Sequence, residues 1–240
     1  YTCPDCKDTG YIGTKKCHCF KKAIVDLLYT QSNLQEILGK ENFSTCSLGF
    51  YSSNHIDPLT GRSSLEAIQT ALKACHEFID TFSTEFQNIL LYGDTGVGKT
   101  FLSHCIAKEL IDASFSVIYF TATQLFDIFA ESAFGRKDTK DSDACEHLYD
   151  CDLLIIDDLG TELPNSFTVS QLFICLNERI LRQKSTIIST NLALEDIKSI
   201  YSERTFSRIS SNYTILRLTG DDIRIQKKLL NLGGTKDVTP

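Results

Sequence analysis

The stretch at residues 93–100, which reads GDTGVGKT, constrains this 240-residue chain more than any other feature. It matches the pattern G-x-x-x-x-G-K-T, and the apolar run NILLY at 88–92 leads directly into it. Glycines let the backbone curl closely around phosphates, so that backbone N–H groups and the start of the following helix face the anion. Lys99 adds a positive charge for the β- and γ-phosphates, and Thr100 offers a hydroxyl to Mg²⁺. The sequence therefore predicts a strand, a phosphate loop and a helix that together bind a nucleotide.

A second apolar run supplies an acidic partner for that loop. The letters LLIIDD at 153–158 describe a buried strand that ends in Asp157 and Asp158. Fully apolar strands are typical of the centre of a parallel sheet, and ligands bind at the carboxyl ends of such strands. We expect Asp157 to hold Mg²⁺ through water and Asp158 to orient or activate the attacking water. For Asp158 the alternative is a cap on the segment that follows.

Composition limits the classes of function. A formal net charge of −7 excludes a chain that binds nucleic acid over its whole surface, so such a contact needs a local patch. No apolar run approaches the ~20 residues that span a bilayer, so we expect no membrane contact and a cytoplasmic location. Ten cysteines beside a phosphate loop are typical of a reduced compartment. Because the chain begins at Tyr1 and contains no methionine, we expect an N-terminal piece to precede it.

Apolar patterns alternate between strand and helix along most of the chain, which predicts an α/β fold with a parallel sheet and helices on both faces. Strands are expected at 88–92, 116–121, 152–157, 185–190 and 213–218. Helices are expected at 23–38, 64–82, 99–113, 122–134, 167–183, 194–201 and 203–211, with a polar, solvated excursion at 135–146. The expected organisation is a Cys-rich segment with a helix at 1–40, a connector at 41–63, a nucleotide-binding domain at 64–232 and a flexible tail at 233–240.

A cysteine motif near the N-terminus, C-x₂-C-x₁₀-C-x-C, predicts a metal site. Its members are Cys3, Cys6, Cys17 and Cys19. Two close thiolate pairs joined by a short glycine-bearing loop suit a tetrahedral structural Zn²⁺ site with no open coordination position. A segment this short cannot form its own core, so metal binding would supply its folding energy. The single spacer in the second pair leaves His18 as an alternative ligand, and a scatter of free cysteines is the alternative to any site.

Polar and basic residues follow the later strands. Asn191 ends a buried strand, where its amide could reach a γ-phosphate or the attacking water; a simple turn residue is the alternative. Arg204 and Arg208 lie in ERTFSR, and Arg224 lies in GDDIR. An arginine that reaches a γ-phosphate stabilises transition-state charge, often from a neighbouring subunit. For each arginine taken singly, the alternative is a surface ion-pair residue; their occurrence together, after the first two motifs, favours a role at the nucleotide.

In this order, GDTGVGKT, LLIIDDLG, STN, ER-x₃-R and GDDIR resemble the AAA+ ATPases of the DnaC/DnaI type, the bacterial replicative-helicase loaders. The resemblance covers roughly residues 40–230. It implies an AAA+ P-loop NTPase core with a five-stranded parallel sheet in the order 5-1-4-3-2, and ATP or ADP with Mg²⁺ as ligands. It also implies a hexameric replicative DNA helicase as partner, engaged through an N-terminal region, together with contact to single-stranded DNA and self-association through the ATPase domain.

The resemblance assigns roles to individual positions. Asn191 becomes sensor 1, Arg208 the arginine finger with Arg204 as its rival, and Arg224 sensor 2. The expected catalytic residues are Lys99, Asp157, Asp158, Asn191 and Arg208. The expected nucleotide-binding residues are Gly93, Asp94, Thr95, Gly96, Val97, Gly98, Lys99, Thr100, Phe101 and Arg224, with Thr100 and Asp157 holding magnesium.

One departure from AAA+ proteins at large concerns Asp158, where most members carry the longer Glu. The shorter Asp is usual in the loader-like branch, and it favours a slow nucleotide switch over fast, processive turnover. Only about twenty residues follow the last strand, so we expect no C-terminal helical lid. Three other functions stay open: a transposition helper ATPase of the IstB type, a P-loop kinase, and a zinc-bearing interaction module with a vestigial ATP site.

Overall fold

The computed structural model describes residues 1–17, 19–20, 23, 34–134 and 141–233. Its strands are β1 (Tyr11–Ile12), β2 (Lys15–Lys16), β3 (Ile89–Gly93), β4 (Val117–Thr121), β5 (Leu153–Leu159), β6 (Ser185–Thr190) and β7 (Thr214–Leu218). Its helices are α1 (Leu34–Lys40), α2 (Ser64–Thr81), α3 (Lys99–Asp112), α4 (Ala122–Phe134), α5 (Asp141–Asp150), α6 (Ser166–Leu181), α7 (Leu194–Tyr201), α8 (Glu203–Asn212) and α9 (Ile223–Gly233). Two 3₁₀ turns, Phe43–Thr45 and Leu48–Phe50, lie in the connector between α1 and α2.

The five longer strands form one sheet in which every neighbouring pair is parallel. Their order across the sheet is β4-β5-β6-β3-β7. With β3 counted as the first strand of this sheet, the order read from the β7 edge is 5-1-4-3-2. Since all five strands run the same way, their carboxyl ends share one edge, and this edge receives the phosphate loop from β3 and the acidic pair from β5.

Helices cover both faces of the sheet. Alternate residues of a strand point to opposite faces, so Leu154 and Ile156 join one apolar core, to which helices α4 to α8 all contribute. Leu153 and Ile155 join a second core with α1, α2 and α3. Both cores are buried, which explains why β5 reads as an unbroken apolar run rather than as an alternating pattern.

Side-chain caps set the starts of two flanking helices. Ser63 accepts the backbone N–H of Glu66, whose carboxylate in turn accepts the N–H of Ser63, and α2 begins at the next residue. Asn165 and Thr168 make the same reciprocal arrangement at the start of α6. Each cap satisfies N–H groups that have no partner within the helix.

The strands and helices predicted between residues 64 and 218 are confirmed, each within two residues at either end. One prediction is wrong in part. Residues 141–146 of the polar stretch 135–146 belong to helix α5, because Leu148, Cys145 and Tyr149 pack that helix onto the core; residues 135–140 lie outside the described part. Helix α9, which follows β7, was not among the predicted helices.

Two predicted segments fall largely or wholly beyond the described residues. Most of the helix predicted at 23–38 does so, and α1 covers its last part. The predicted tail lies outside the described residues from 234 onward. Among the residues that are described, no helix combines the length and apolar character needed to cross a bilayer.

Candidate functional site

The phosphate loop connects the end of β3 to the start of α3, and its glycines are required by its shape. Gly93 has a φ of +131°, and a Cβ there would lie 1.9 Å from the carbonyl oxygen of Leu218 on β7. Gly98, the residue before α3, has a φ of +100°, with the hydroxyl of Tyr51 2.7 Å from the position of a Cβ. At both positions the positive φ and the close neighbouring atoms exclude a larger side chain, so the loop requires glycine there.

Lys99 lies at the centre of the site. Its Nζ donates to the carbonyl oxygens of Gly93 (2.9 Å) and Asp94 (2.5 Å), and to Oδ1 of Asn191 (2.7 Å). Burial lowers the pKa of Lys99, an effect that the carboxylates of Asp158 and Asp94 oppose. The lysine predicted from the loop motif and the asparagine predicted from the end of β6 are therefore in direct contact.

Asp157 is buried beneath the loop, with an exposed fraction of 3%. The hydroxyl of Thr100 lies 3.1 Å from each of its carboxylate oxygens, so the two residues predicted to hold magnesium are in contact. Two further hydroxyls also donate to this carboxylate: Tyr119 to Oδ2 at 2.5 Å, and Ser189 to Oδ1. Sequence analysis missed both, although Tyr119 and Ser189 lie in the strands on either side of β5.

Asp158 is shaped by an irregularity in β5. Its φ is +54°, the pairing with β6 shifts register between Ile156 and Leu159, and its N–H donates to the hydroxyl of Ser189 at 3.0 Å. Asp158 borders an open cleft that lies over the phosphate loop. Burial raises its pKa, and the charge of Asp157 adds to the effect. The next helix, α6, is capped by Asn165, so it does not use Asp158 as its cap.

An open cleft of about 390 Å³ lies over the loop. The predicted residues that border it are Thr95, Gly96, Gly98, Lys99, Thr100, Phe101, Asp158, Asn191 and Arg224. Its other wall consists of connector and α9 residues that were not predicted as site residues: Glu41, Thr45, Cys46, Ser47, Phe50, Tyr51, Ile223 and Lys227. The connector is anchored to the loop by Tyr51, whose hydroxyl donates to the carbonyl oxygen of Val97 at 3.0 Å.

The three candidate arginines differ in position. Arg224 borders the cleft, and its guanidinium pairs with Asp222 at 2.9 Å near the start of α9. Arg204 and Arg208 are both exposed on α8, and neither borders the cleft. The fold thus brings Arg224 to the cleft over the phosphate loop and leaves Arg204 and Arg208 on the protein surface.

The four N-terminal cysteines converge. All four sulfur atoms lie within 4.8 Å of one another. Cys3 and Cys17 are 3.7 Å apart, and Cys6 and Cys19 are 3.3 Å apart, sulfur to sulfur. Zinc–sulfur bonds of about 2.3 Å in a tetrahedron put sulfurs about 3.8 Å apart, so the donor set fits zinc in number, type and spacing. His18 lies outside the described residues.

The sequence and the fold both resemble those of known proteins. The model of the family described as IstB-like ATP binding proteins matches residues 62–231, which contain the phosphate loop, both carboxylates and all three arginines. The chain belongs to this family. Solved structures share its fold: a DnaC helicase loader, with a TM-score of 0.59 and 23% identity, covering 76% of this chain and 98% of that one, and DnaI, with a TM-score of 0.62 and 20% identity, covering 77% and 94%.

Curated relatives of this IstB-like protein are replication proteins by name. The replicative helicase loader DnaC of Buchnera aphidicola subsp. Acyrthosiphon pisum is 23% identical over 180 residues, which are 73% of this chain and 69% of the relative. DnaC of Escherichia coli K12 is 22% identical over 148 residues, 62% of this chain and 60% of the relative. The chromosomal replication initiator protein DnaA of Zymomonas mobilis is 31% identical over 147 residues, but the chain spans only 30% of its length.

Proposed function

We propose that this IstB-like protein is a helicase-loader ATPase that binds Mg-ATP and hydrolyses it slowly, as a switch. The observation that supports this most directly is the convergence of Lys99, Asn191, Asp157 and Asp158 at the carboxyl edge of the sheet, around the phosphate loop. A loop amine, a buried carboxylate with a hydroxyl beside it, and a second carboxylate facing the cleft are the parts that phosphoryl transfer to water requires.

The residues divide the chemistry among them. The backbone N–H groups of the loop and the start of α3 bind the phosphates, and Lys99 neutralises the charge of the β- and γ-phosphates. Thr100 and Asp157 would hold Mg²⁺, which would supply neutralisation of the phosphate charge. Asp158 orients the attacking water and accepts its proton, and Asn191 donates from its amide to the γ-phosphate or that water. Arg224 reaches the γ-phosphate from α9, and Arg208 acts on the nucleotide of a neighbouring copy.

Slow turnover is part of the proposal. Asp158 has one methylene fewer than Glu, so its carboxylate stays farther from the γ-phosphate than the longer side chain would. Bound nucleotide then persists long enough to control assembly of the protein with its partner, which we propose is the replicative helicase hexamer. Single-stranded DNA is the further proposed ligand, and the ATPase domain is the proposed site of self-association. The helicase partner is supported by the names of the curated DnaC relatives, which are called replicative helicase loaders.

The decisive experiment compares Lys99→Ala with Lys108→Ala in the full-length protein. Both lysines lie on α3, but Lys108 is at the surface beside Asp112. We expect Lys99→Ala to abolish ATP binding and nucleotide-dependent co-purification with the host replicative helicase, and Lys108→Ala to retain both. ATP binding that survives in Lys99→Ala contradicts the site. Lys99-dependent ATP binding without helicase capture contradicts the loader role and favours a transposition helper of the IstB type, to be tested by capture with a transposase.

We also propose a structural zinc ion held by Cys3, Cys6, Cys17 and Cys19. Four thiolates leave no coordination position for a substrate, so the ion would stabilise the N-terminal segment rather than take part in hydrolysis. Metal analysis of freshly purified, reduced protein should find one zinc per chain. Cys17→Ser should lose zinc, whereas Cys145→Ser, a control outside the cluster, should keep it. Zinc-free wild-type protein would contradict the proposal.

A further inference from the structure

Tyr119 contacts the carboxylate of Asp157 from the neighbouring strand. It lies on β4, next to β5, and its hydroxyl donates to Oδ2 of Asp157 at 2.5 Å. On the opposite side, Ser189 of β6 donates to Oδ1 of the same carboxylate and accepts the N–H of Asp158. The carboxylate is thus held at both oxygens by hydroxyls from the two flanking strands, while Thr100 approaches both oxygens from the phosphate loop.

The ring of Tyr119 is itself held in place. It packs against the imidazole of His104 on α3, with ring centroids 5.0 Å apart and an interplanar angle of 38°. His104 is buried, and its Nδ1 lies 2.6 Å from Oε2 of Glu41, at the connector wall of the cleft. The phenol therefore has a fixed position from which its hydroxyl reaches Asp157.

Orientation of this carboxylate matters for metal binding. The terminal torsion of an Asp side chain has a broad, two-fold profile, so an unrestrained carboxylate can present its oxygens in several directions. Hydrogen bonds to a metal-ligating carboxylate fix its direction, and removal of such a partner typically costs 10–100-fold in metal affinity or activity. Thr100 also contacts this carboxylate, but it is itself a proposed magnesium ligand. Tyr119 and Ser189 have no other part in the proposed chemistry.

We propose that Tyr119 is a positioning residue for magnesium: its hydroxyl, opposite that of Ser189, fixes the carboxylate of Asp157 in the direction that the metal requires. This inference rests on the proposed Mg-ATP site. It assigns Tyr119 no contact with nucleotide or metal, so its effect is confined to steps that depend on magnesium.

The test is Tyr119→Phe in the full-length protein, which keeps the ring and its packing on His104 but removes the hydroxyl. Binding of a fluorescent ATP analogue is measured across a Mg²⁺ titration and again with the metal chelated. We expect the Mg²⁺ concentration for half-maximal enhancement of binding to rise roughly tenfold or more, while binding without metal stays unchanged. A second readout, the Mg²⁺ dependence of ATP hydrolysis, is expected to shift in the same direction.

Tyr201→Phe is the matched control. Tyr201 is a fully buried tyrosine on α7 whose hydroxyl donates to the carboxylate of Glu162, so this variant also removes a buried phenol–carboxylate hydrogen bond. We expect its magnesium curve to match the wild type. An unshifted curve in Tyr119→Phe, or an equal shift in both variants, overturns the positioning role alone. Wild-type protein whose nucleotide binding does not respond to Mg²⁺ overturns the proposed function and this inference together.

Discussion

Nζ of Lys99 lies 2.7 Å from Oδ1 of Asn191, which joins the first residue of α3 to the residue that follows β6. The two residues are 92 positions apart in the chain. They meet because β6 is the neighbour of β3, so the ends of both strands reach the same part of the carboxyl edge. Asn191 is thereby placed beside the phosphate-loop lysine, as its proposed role requires.

We expect Asn191→Ala to retain ATP binding within a few-fold and to lower the hydrolysis rate by about 100-fold, the size of effect seen when one polar donor to a transition state is removed. Nucleotide affinity and single-turnover hydrolysis are the two measurements. Asn54→Ala, at an exposed loop position, is the control and should match the wild type. Hydrolysis at the wild-type rate in Asn191→Ala would assign Asn191 to a simple turn.

Arg208 is expected to act between subunits. Because it is exposed and does not border the cleft of its own chain, Arg208→Ala should preserve ATP binding but impair hydrolysis in the assembled complex. Mixing it with Lys99→Ala should restore part of the activity, since each chain retains what the other lacks. ATP hydrolysis is measured with helicase and single-stranded DNA present. The same mixture made with Arg204→Ala is the comparison, and recovery only there would move the finger to Arg204.

Asp57 and Arg217 form a pair that should make the stability depend on pH. Burial opposes ionisation of Asp57, but hydrogen bonds from Thr60 and Arg217 outweigh it and hold the pKa of Asp57 below its ordinary value of 3.8. A lowered folded-state pKa adds stability that is fully present above the unfolded-state value and is lost as the pH falls through the folded-state value. We expect the free energy of unfolding to fall less steeply below pH 4 in Asp57→Asn than in the wild type, measured by urea unfolding at a series of pH values. If the free energy of unfolding depended on pH equally in Asp57→Asn and the wild type, this prediction would be wrong.

Gly93 should tolerate no side chain. A Cβ would lie 1.9 Å from the carbonyl oxygen of Leu218, and the φ of +131° is unfavourable for any other residue. We expect Gly93→Ala to destabilise the protein by on the order of 2–4 kcal/mol, because the parallel pairing of β3 with β7 must shift. Thermal unfolding measures this directly. Gly39→Ala, in α1, is the control and should be neutral or slightly stabilising, because no side chain of the described residues outside its chain neighbours lies within 4 Å of the added Cβ.

Local sequence was sufficient for most of the fold between residues 64 and 218. Each central strand is a short apolar run, and the glycines of the phosphate loop mark the turn between β3 and α3. Helix α5 was missed because it contributes few core residues, among them Leu148, within an otherwise polar stretch. Helix α9 was missed because its periodicity is short and leaves Ile225, Leu229 and Leu230 exposed.

By itself, the sequence determined which residues form the centre of the proposed site, because Lys99, Thr100, Asp157 and Asp158 lie in motifs whose spacing is local. Only the tertiary structure decided which other side chains reach them. Tyr119 and Ser189 contact Asp157 because β4 and β6 flank β5, and neither residue belongs to a motif that describes this contact. The physical reason is that a parallel sheet pairs strands distant in the chain, so strand order and register, rather than spacing in the sequence, determine which hydroxyls surround a buried carboxylate.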